Sequence, residues 1–184
     1  MFALLSTAPY TPGERMFERR VLGVDPGVAR LGLAVVDGGG RRTELVWAGA
    51  VRTEAGGEDA QRLRVICDAM REAIAAHSPS SVALERLAWN RNQVSAIAVA
   101  RAAGAIMVAA AEAGLPVAEY GPNEVKIAVT GMGNADKAQV RRALERVHGL
   151  LAVPSQADAA DAVAVALTHL VGSRMRSLAR AVVP

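Results

Sequence analysis

The sequence predicts an α/β domain built on a mixed five-stranded sheet with helices on both faces. Three observations carry that prediction. Three strand-like segments follow one another over residues 17–53, and helical periodicity then alternates with short apolar strands. The composition is aliphatic, 52% hydrophobic but only 3% aromatic, over 184 residues, enough for one domain with a substantial core.

Residues 17–25 and 31–37 are Val/Leu-rich runs around Pro26-Gly27-Val28-Ala29-Arg30, which reads as two antiparallel strands with a tight connection. A third strand is expected over Glu44–Thr53, after three glycines. From Glu58 to about His77, Leu63, Ile66, Cys67, Met70 and Ile74 keep the spacing of an amphipathic helix, stopped by Ser78-Pro79-Ser80. Ser81–Glu85 is then a short buried strand. A strand, a crossover helix and a further strand imply parallel pairing with a right-handed crossover, so the first and fourth strands should be central neighbours. Gln93–Ala113 reads as a long Ala-rich helix ending at Gly114, and Pro116–Tyr120 as the fifth strand. Asn123 is the expected cap of a helix from Glu124, and Asp136 opens another reaching about His148. The last helix is expected from Gln156 to about Gly172. Three strands first and helices interleaved later is the ribonuclease-H-like order. Residues 1–15 read as a disordered extension (Met16 is a possible start), 16–173 as the domain and 174–184 as a basic tail.

Charge and cysteine usage narrow the function classes. A net charge of +3 tolerates nucleic acid without requiring it. The single cysteine, Cys67, excludes an internal disulfide and suits a reducing cytoplasm; one Cys and three scattered His exclude a zinc cluster. The uncharged run between Arg101 and Glu112 is too short to span a bilayer, and no signal-peptide pattern opens the chain, so a cytoplasmic protein without a membrane segment is expected.

Four acids stand out by position. Asp25 closes the strand Val21–Val24, and Glu85 ends the apolar run Val82–Leu84. Asp158 and Asp161, at i and i+3, share a face in the first turns of the last helix. Taken singly they have ordinary readings, a turn residue before Pro-Gly or first-turn acids at a helix dipole. Glu85 is less easily dismissed, because a carboxylate ending a buried strand is costly without a partner. With the first and fourth strands adjacent, all four acids converge. Like charges so close need a cation, and oxygen ligands suit Mg2+ or Mn2+. Two ions would serve phosphodiester hydrolysis.

G-V-D-P-G at 23–27, A-L-E-R at 83–86, the G-x-G turn at 131–133 with A-D-K-A-Q-V at 135–140, and Q-A-D-A-A-D-A-V-A-V-A-L-T-H at 156–169 resemble the RuvC family of crossover junction endodeoxyribonucleases. The resemblance runs from about Phe17 to His169 and is most specific in its last block. It implies a ribonuclease-H-like fold with Asp25, Glu85, Asp158 and Asp161 as catalytic metal ligands. It also implies a homodimer that nicks two opposed strands of a four-way DNA junction, working with the RuvA–RuvB branch-migration complex. Some relatives carry His at the position of Asp158, so this site is fully acidic.

The basic residues fit that expectation. Of 21 Lys and Arg, only Lys126 and Lys137 are lysine, and both match positions where the family is basic near its active site. We read both as contacts to the scissile phosphate or stabilisers of transition-state charge. Arg86, Trp89, Arg91 and Asn92 follow Glu85 and are expected to touch DNA, with Trp89 as the stacking residue. The family's usual bulky partner is Ala88 here, which puts the usual base-stacking geometry in doubt. Arg141 is expected to reach a phosphate from an exposed helix face. His148 reads as a helix C-terminal residue and His169 as lying away from the metal end. The smooth run from Ala96 to Ala105 permits close helix packing, against the chain's own sheet or across a two-fold axis. Two rival functions remain: a ribonuclease-H-like nuclease on another nucleic acid, and an inactive junction-binding protein.

Overall fold

A computed structural model of the chain describes residues 19–39, 42–86 and 93–182. The expected extension at 1–15 lies outside them. Strands β1 (Arg19–Asp25), β2 (Arg30–Gly39) and β3 (Arg42–Arg52) are followed by helix α1 (Asp59–His77), strand β4 (Ser81–Glu85) and helix α2 (Gln93–Glu112). Strand β5 (Val117–Tyr120) and helices α3 (Pro122–Thr130), α4 (Lys137–Arg146) and α5 (Ala157–Val182) complete the described chain. The sheet order is β3-β2-β1-β4-β5. β1 is antiparallel to β2 and parallel to β4, with Val24 opposite Leu84, so Asp25 and Glu85 are the next residues on neighbouring strands. The expected mixed sheet and its central parallel pair are both present.

Alternation along the strands divides the core into two layers. Leu22, Val24, Leu33, Val35, Val82 and Leu84 face α1 and α2, where Ile66, Met70, Ala102 and Ile106 cover them. Val21, Ala34, Val36 and Ala83 face α5, which brings Ala162, Val163, Ala166 and Leu167 onto the sheet, with α3 and α4 outside it. The close approach of α5 explains two glycines. A Cβ on Gly23 would strike the Ala162 carbonyl and Ala166, and one on Gly32 would strike the Asp158 carbonyl. The small residues of α5 and these glycines form one fit, and it sets the height of the helix's first turns above β1 and β2.

Three local expectations are corrected. Asn123 does not cap α3: the helix starts at Pro122, whose missing N–H needs no partner, and the Glu124 carboxylate accepts the Gly121 N–H at 2.6 Å. Helix α5 does not stop at Gly172 but continues through Val182. A helical glycine costs only about 1 kcal/mol, and burial of Leu167, Leu170 and Ser173 carries the helix across it. Helix α4 ends at Arg146; His148 lies beyond it and its Nε2 donates to the Val129 carbonyl at 2.9 Å. Asp136 does cap α4, in reciprocal bonds with Gln139 at 2.7 and 2.8 Å. No helix among the described residues is long and apolar enough to cross a membrane.

Candidate active site

β1 and β4 end side by side, and β2 begins and β3 finishes at the same end of the sheet. Asp25 and Glu85 therefore project from adjacent strands, both half-buried, and α5 carries half-buried Asp158 and Asp161 over them. Their proximity is visible in their protonation. Burial first, then the charges of Glu85 and Asp161, pushes the Asp25 carboxyl from its ordinary 3.8 up to about 8. Glu85 is also raised, by burial and by Asp161, while a hydrogen bond from Asp25 and the charges of Lys137 and Lys126 pull the other way. Both shifts have one cause, two carboxyls buried side by side, and they favour the protonated form of Asp25.

Lys137, in the first turn of α4, donates from Nζ to Asp161 Oδ2 at 2.7 Å. That bond holds its ammonium above the usual lysine range, and Asp25 and Asp158 add to the effect. The lysine is 76% exposed against 31% for Asp161, so its head faces water. Lys126, on α3, is close enough to act on Glu85. The structure thus brings all four predicted carboxylates and both lysines to one end of the sheet. Among the described residues no three acids converge tightly enough to cage an ion as they stand, and Asp161 is turned to Lys137. The donor set nevertheless fits a hard divalent cation, since every donor is a carboxylate and their mutual repulsion is what a cation relieves.

Other expected contacts are placed differently. Arg86 pairs with Glu124 at 3.1 Å in a well-exposed ion pair worth little, so its guanidinium remains able to exchange toward a phosphate. Arg141 is not the free surface arginine expected: its guanidinium donates to the Pro154 and Val153 carbonyls at 2.6 and 2.7 Å, and its Nε pairs with Glu145. One turn from Lys137, it ties α4 to the segment leading into α5. Its period fits either an exposed face or a groove, and only the neighbouring loop decides. Trp89, Arg91 and Asn92, together with Ala88, lie outside the described residues. His169 bridges Ser81 Oγ at 3.2 Å and Tyr120 OH at 2.9 Å, joining α5 to β4 and β5.

Two supporting residues escaped the sequence reading. Glu124 caps α3 and so sets the turn bearing Lys126; its place three residues after Gly121 was the available signal. Thr53 donates to the Val28 carbonyl at 2.6 Å and anchors the loop after Asp25, for which no local signal exists. Replacing Lys137 with Met is expected to slow single-turnover cleavage about 100- to 1000-fold, the usual loss for one donor aimed at developing charge. Recovery of most of that rate in Lys137→Arg would show that charge at this point, rather than the ammonium's compact shape, is what matters.

Residues 21–169 match the model of the family described as crossover junction endodeoxyribonuclease RuvC. The crossover junction endodeoxyribonuclease RuvC of Frankia alni is 50% identical over 152 residues, covering 82% of this chain and 77% of the relative. Among solved structures, T. thermophilus RuvC in complex with Holliday junction substrate is similar at 37% identity and a TM-score of 0.80, over 86% of this chain and 96% of that one. The yeast mitochondrial Holliday junction resolvase Ydc2, at 10% identity and a TM-score of 0.67 over 90% of this chain and 85% of that one, shares the fold. The carboxylates at the end of the sheet, the fold and the match over most of the chain agree: this chain belongs to the RuvC family of crossover junction endodeoxyribonucleases.

Proposed function

We propose that the chain resolves four-way DNA junctions by hydrolysing phosphodiesters in two opposed strands, in recombination and repair. The observation that carries this reading is the meeting of four carboxylates and the chain's only two lysines at one end of the sheet. Asp25, Glu85, Asp158 and Asp161 would hold Mg2+ or Mn2+, in all two ions. Bound there, the ions supply Lewis acidity for activating water and neutralising the phosphodiester. Lys137 and Lys126 add positive charge where the phosphate gathers negative charge. Arg86, with Trp89, Arg91 and Asn92, would hold the strand beside the cut.

A two-fold junction is cut symmetrically by a two-fold dimer. The outer surface of α2 supports a homodimer: Ala102, Ile106, Ala109 and Ala110 face the chain's own core, while Ile97 and Val108 remain 55% and 53% exposed. The family resemblance further implies cooperation with RuvA and RuvB in the cytoplasm. The direct test is cleavage of a mobile four-way junction, a plain duplex and an RNA–DNA hybrid, each with Mg2+, with Mn2+ and with chelator. Paired nicks in the junction alone, lost on chelation, are expected. Preferential cutting of the hybrid would favour a ribonuclease-H-like activity instead, and tight junction binding without nicks under either metal would leave a binding protein.

A further inference from the structure

Beside the carboxylates, toward the outer strands of the sheet, two arginines stand directly opposite one another. Arg30 opens β2, Arg52 closes β3, and the two are cross-strand partners. They lie on the face covered by α5, since Ala34 and Ala48 further along the same alternation pack under that helix and Gly32 meets the Asp158 carbonyl. Both are exposed. Arg20, Arg62, Arg71, Arg86, Arg101 and Arg141 each have a carboxylate within ion-pair distance. Arg30 and Arg52, like Arg64, Arg142 and Arg146, have none among the described residues, but only Arg30 and Arg52 of these face each other across a strand pair beside the carboxylates. Like charges directly opposite each other on a sheet are destabilising, so an anion held between them would relieve the repulsion.

The framework under them is rigid. Thr53, immediately after Arg52, donates its N–H to the Ala29 carbonyl at 3.3 Å and its hydroxyl to the Val28 carbonyl at 2.6 Å. Arg62 of α1 donates from Nε to that same hydroxyl at 3.0 Å. Residues 26–29, which join Asp25 to Arg30, are thereby fastened to the end of β3, and the two arginines keep a set position relative to Asp25. Neighbouring strands are about 5 Å apart, so Asp25, Arg30 and Arg52 step outward across three strands. Lys126 approaches from the opposite side, on the helix that follows β5 and acts on Glu85 of β4.

We propose that Arg30 and Arg52 form a phosphate clamp that grips the DNA backbone next to the scissile phosphate, on the side away from Lys126. This rests on the junction-cleaving reading above. Two guanidinium forks aimed at one phosphodiester give charge-assisted, bidentate hydrogen bonds, and the phosphate between them turns their repulsion into a bridge. Such a contact sets affinity and register without reading bases. The clamp is separate from the carboxylates, so its effect is on binding and its salt dependence.

The test compares Arg30→Gln, Arg52→Gln and the double variant with the wild type and with Arg71→Gln, a charge-matched control on α1. Binding of a synthetic four-way junction is measured from about 50 to 200 mM salt in Ca2+, which holds cleavage back. The double variant is expected to lower the slope of log affinity against log salt by about 0.9, the loss of one neutralised phosphate, and each single variant by less. Melting temperature should hold or rise as the like-charge pair is relieved, while Arg71→Gln leaves the slope unchanged. A double variant with the wild-type slope and affinity overturns the clamp alone. A wild type that fails to bind the junction overturns both the clamp and the reading beneath it.

Discussion

Asp25→Asn should abolish junction cleavage and, in metal-free buffer at pH 8, melt at a higher temperature than the wild type. The two effects have one cause. In the folded chain Asp25 keeps its proton up to about pH 8, whereas the unfolded chain releases it near its ordinary 3.8. Between those values the unfolded state binds fewer protons, so wild-type stability falls as pH rises through roughly 4 to 8. Below pH 4 both states are protonated and the difference disappears. One unit of pKa corresponds to about 1.4 kcal/mol. Because Asp25 is only half-buried and Glu85 beside it also titrates, we expect about 2 kcal/mol between pH 5 and 8, or roughly 4–8 °C in Tm. The amide cannot ionise, so the variant should lack this slope, and it removes a carboxylate that divalent cations need. Scanning calorimetry with chelator across pH, beside junction cleavage, checks both halves. A variant with the wild-type pH slope would falsify the raised Asp25 carboxyl, and one that cuts normally would remove Asp25 from catalysis.

Gly32→Ala is expected to cost both stability and activity for the addition of one methyl. The new Cβ would meet the Asp158 carbonyl, backbone against backbone, so no rotamer relieves the clash. Helix α5 would have to lift at the end that carries Asp158 and Asp161. Overpacking of this kind costs about 1–3 kcal/mol or more, and displacing reacting groups by about 1 Å can cost 100-fold in rate. Gly38→Ala is the informative control, because its Cβ would meet the Leu170 side chain from Cγ outward, and a side chain can shift where backbone cannot. Urea unfolding with single-turnover cleavage should show Gly32→Ala losing both stability and rate while Gly38→Ala keeps most of each. Equal, small losses in the two variants would mean that the height of α5 does not govern the site.

The elements that were legible in the sequence are those with a strong local pattern. β1 and β2 declared themselves by Val/Leu-rich runs around a Pro-Gly turn, α1 by its spacing from Ile66 to Met70, and α4 by Asp136 at its start. Boundaries at glycines were less legible. Gly172 looks like a stop, yet buried neighbours carry α5 over it, and Gly121 leaves the capping of α3 to Glu124. In such places long-range packing outweighs the local preference.

Sequence by itself determined the strand and helix order and placed Asp25 and Glu85 at strand ends, with Asp158 and Asp161 one turn apart. Those facts follow from chain connectivity and from periods of two and 3.6 residues, which are local properties. It also singled out the only two lysines. Tertiary structure decided what those groups do to one another: that burial beside Glu85 raises the Asp25 carboxyl, that Lys137 answers Asp161, and that Arg141 serves the loop before α5. It alone set Arg30 against Arg52, twenty-two residues on, because cross-strand register depends on the turn and on the bulge near Val35 and Val36. Distances between residues remote in the chain come from how two core layers close over one sheet, and no local pattern encodes them.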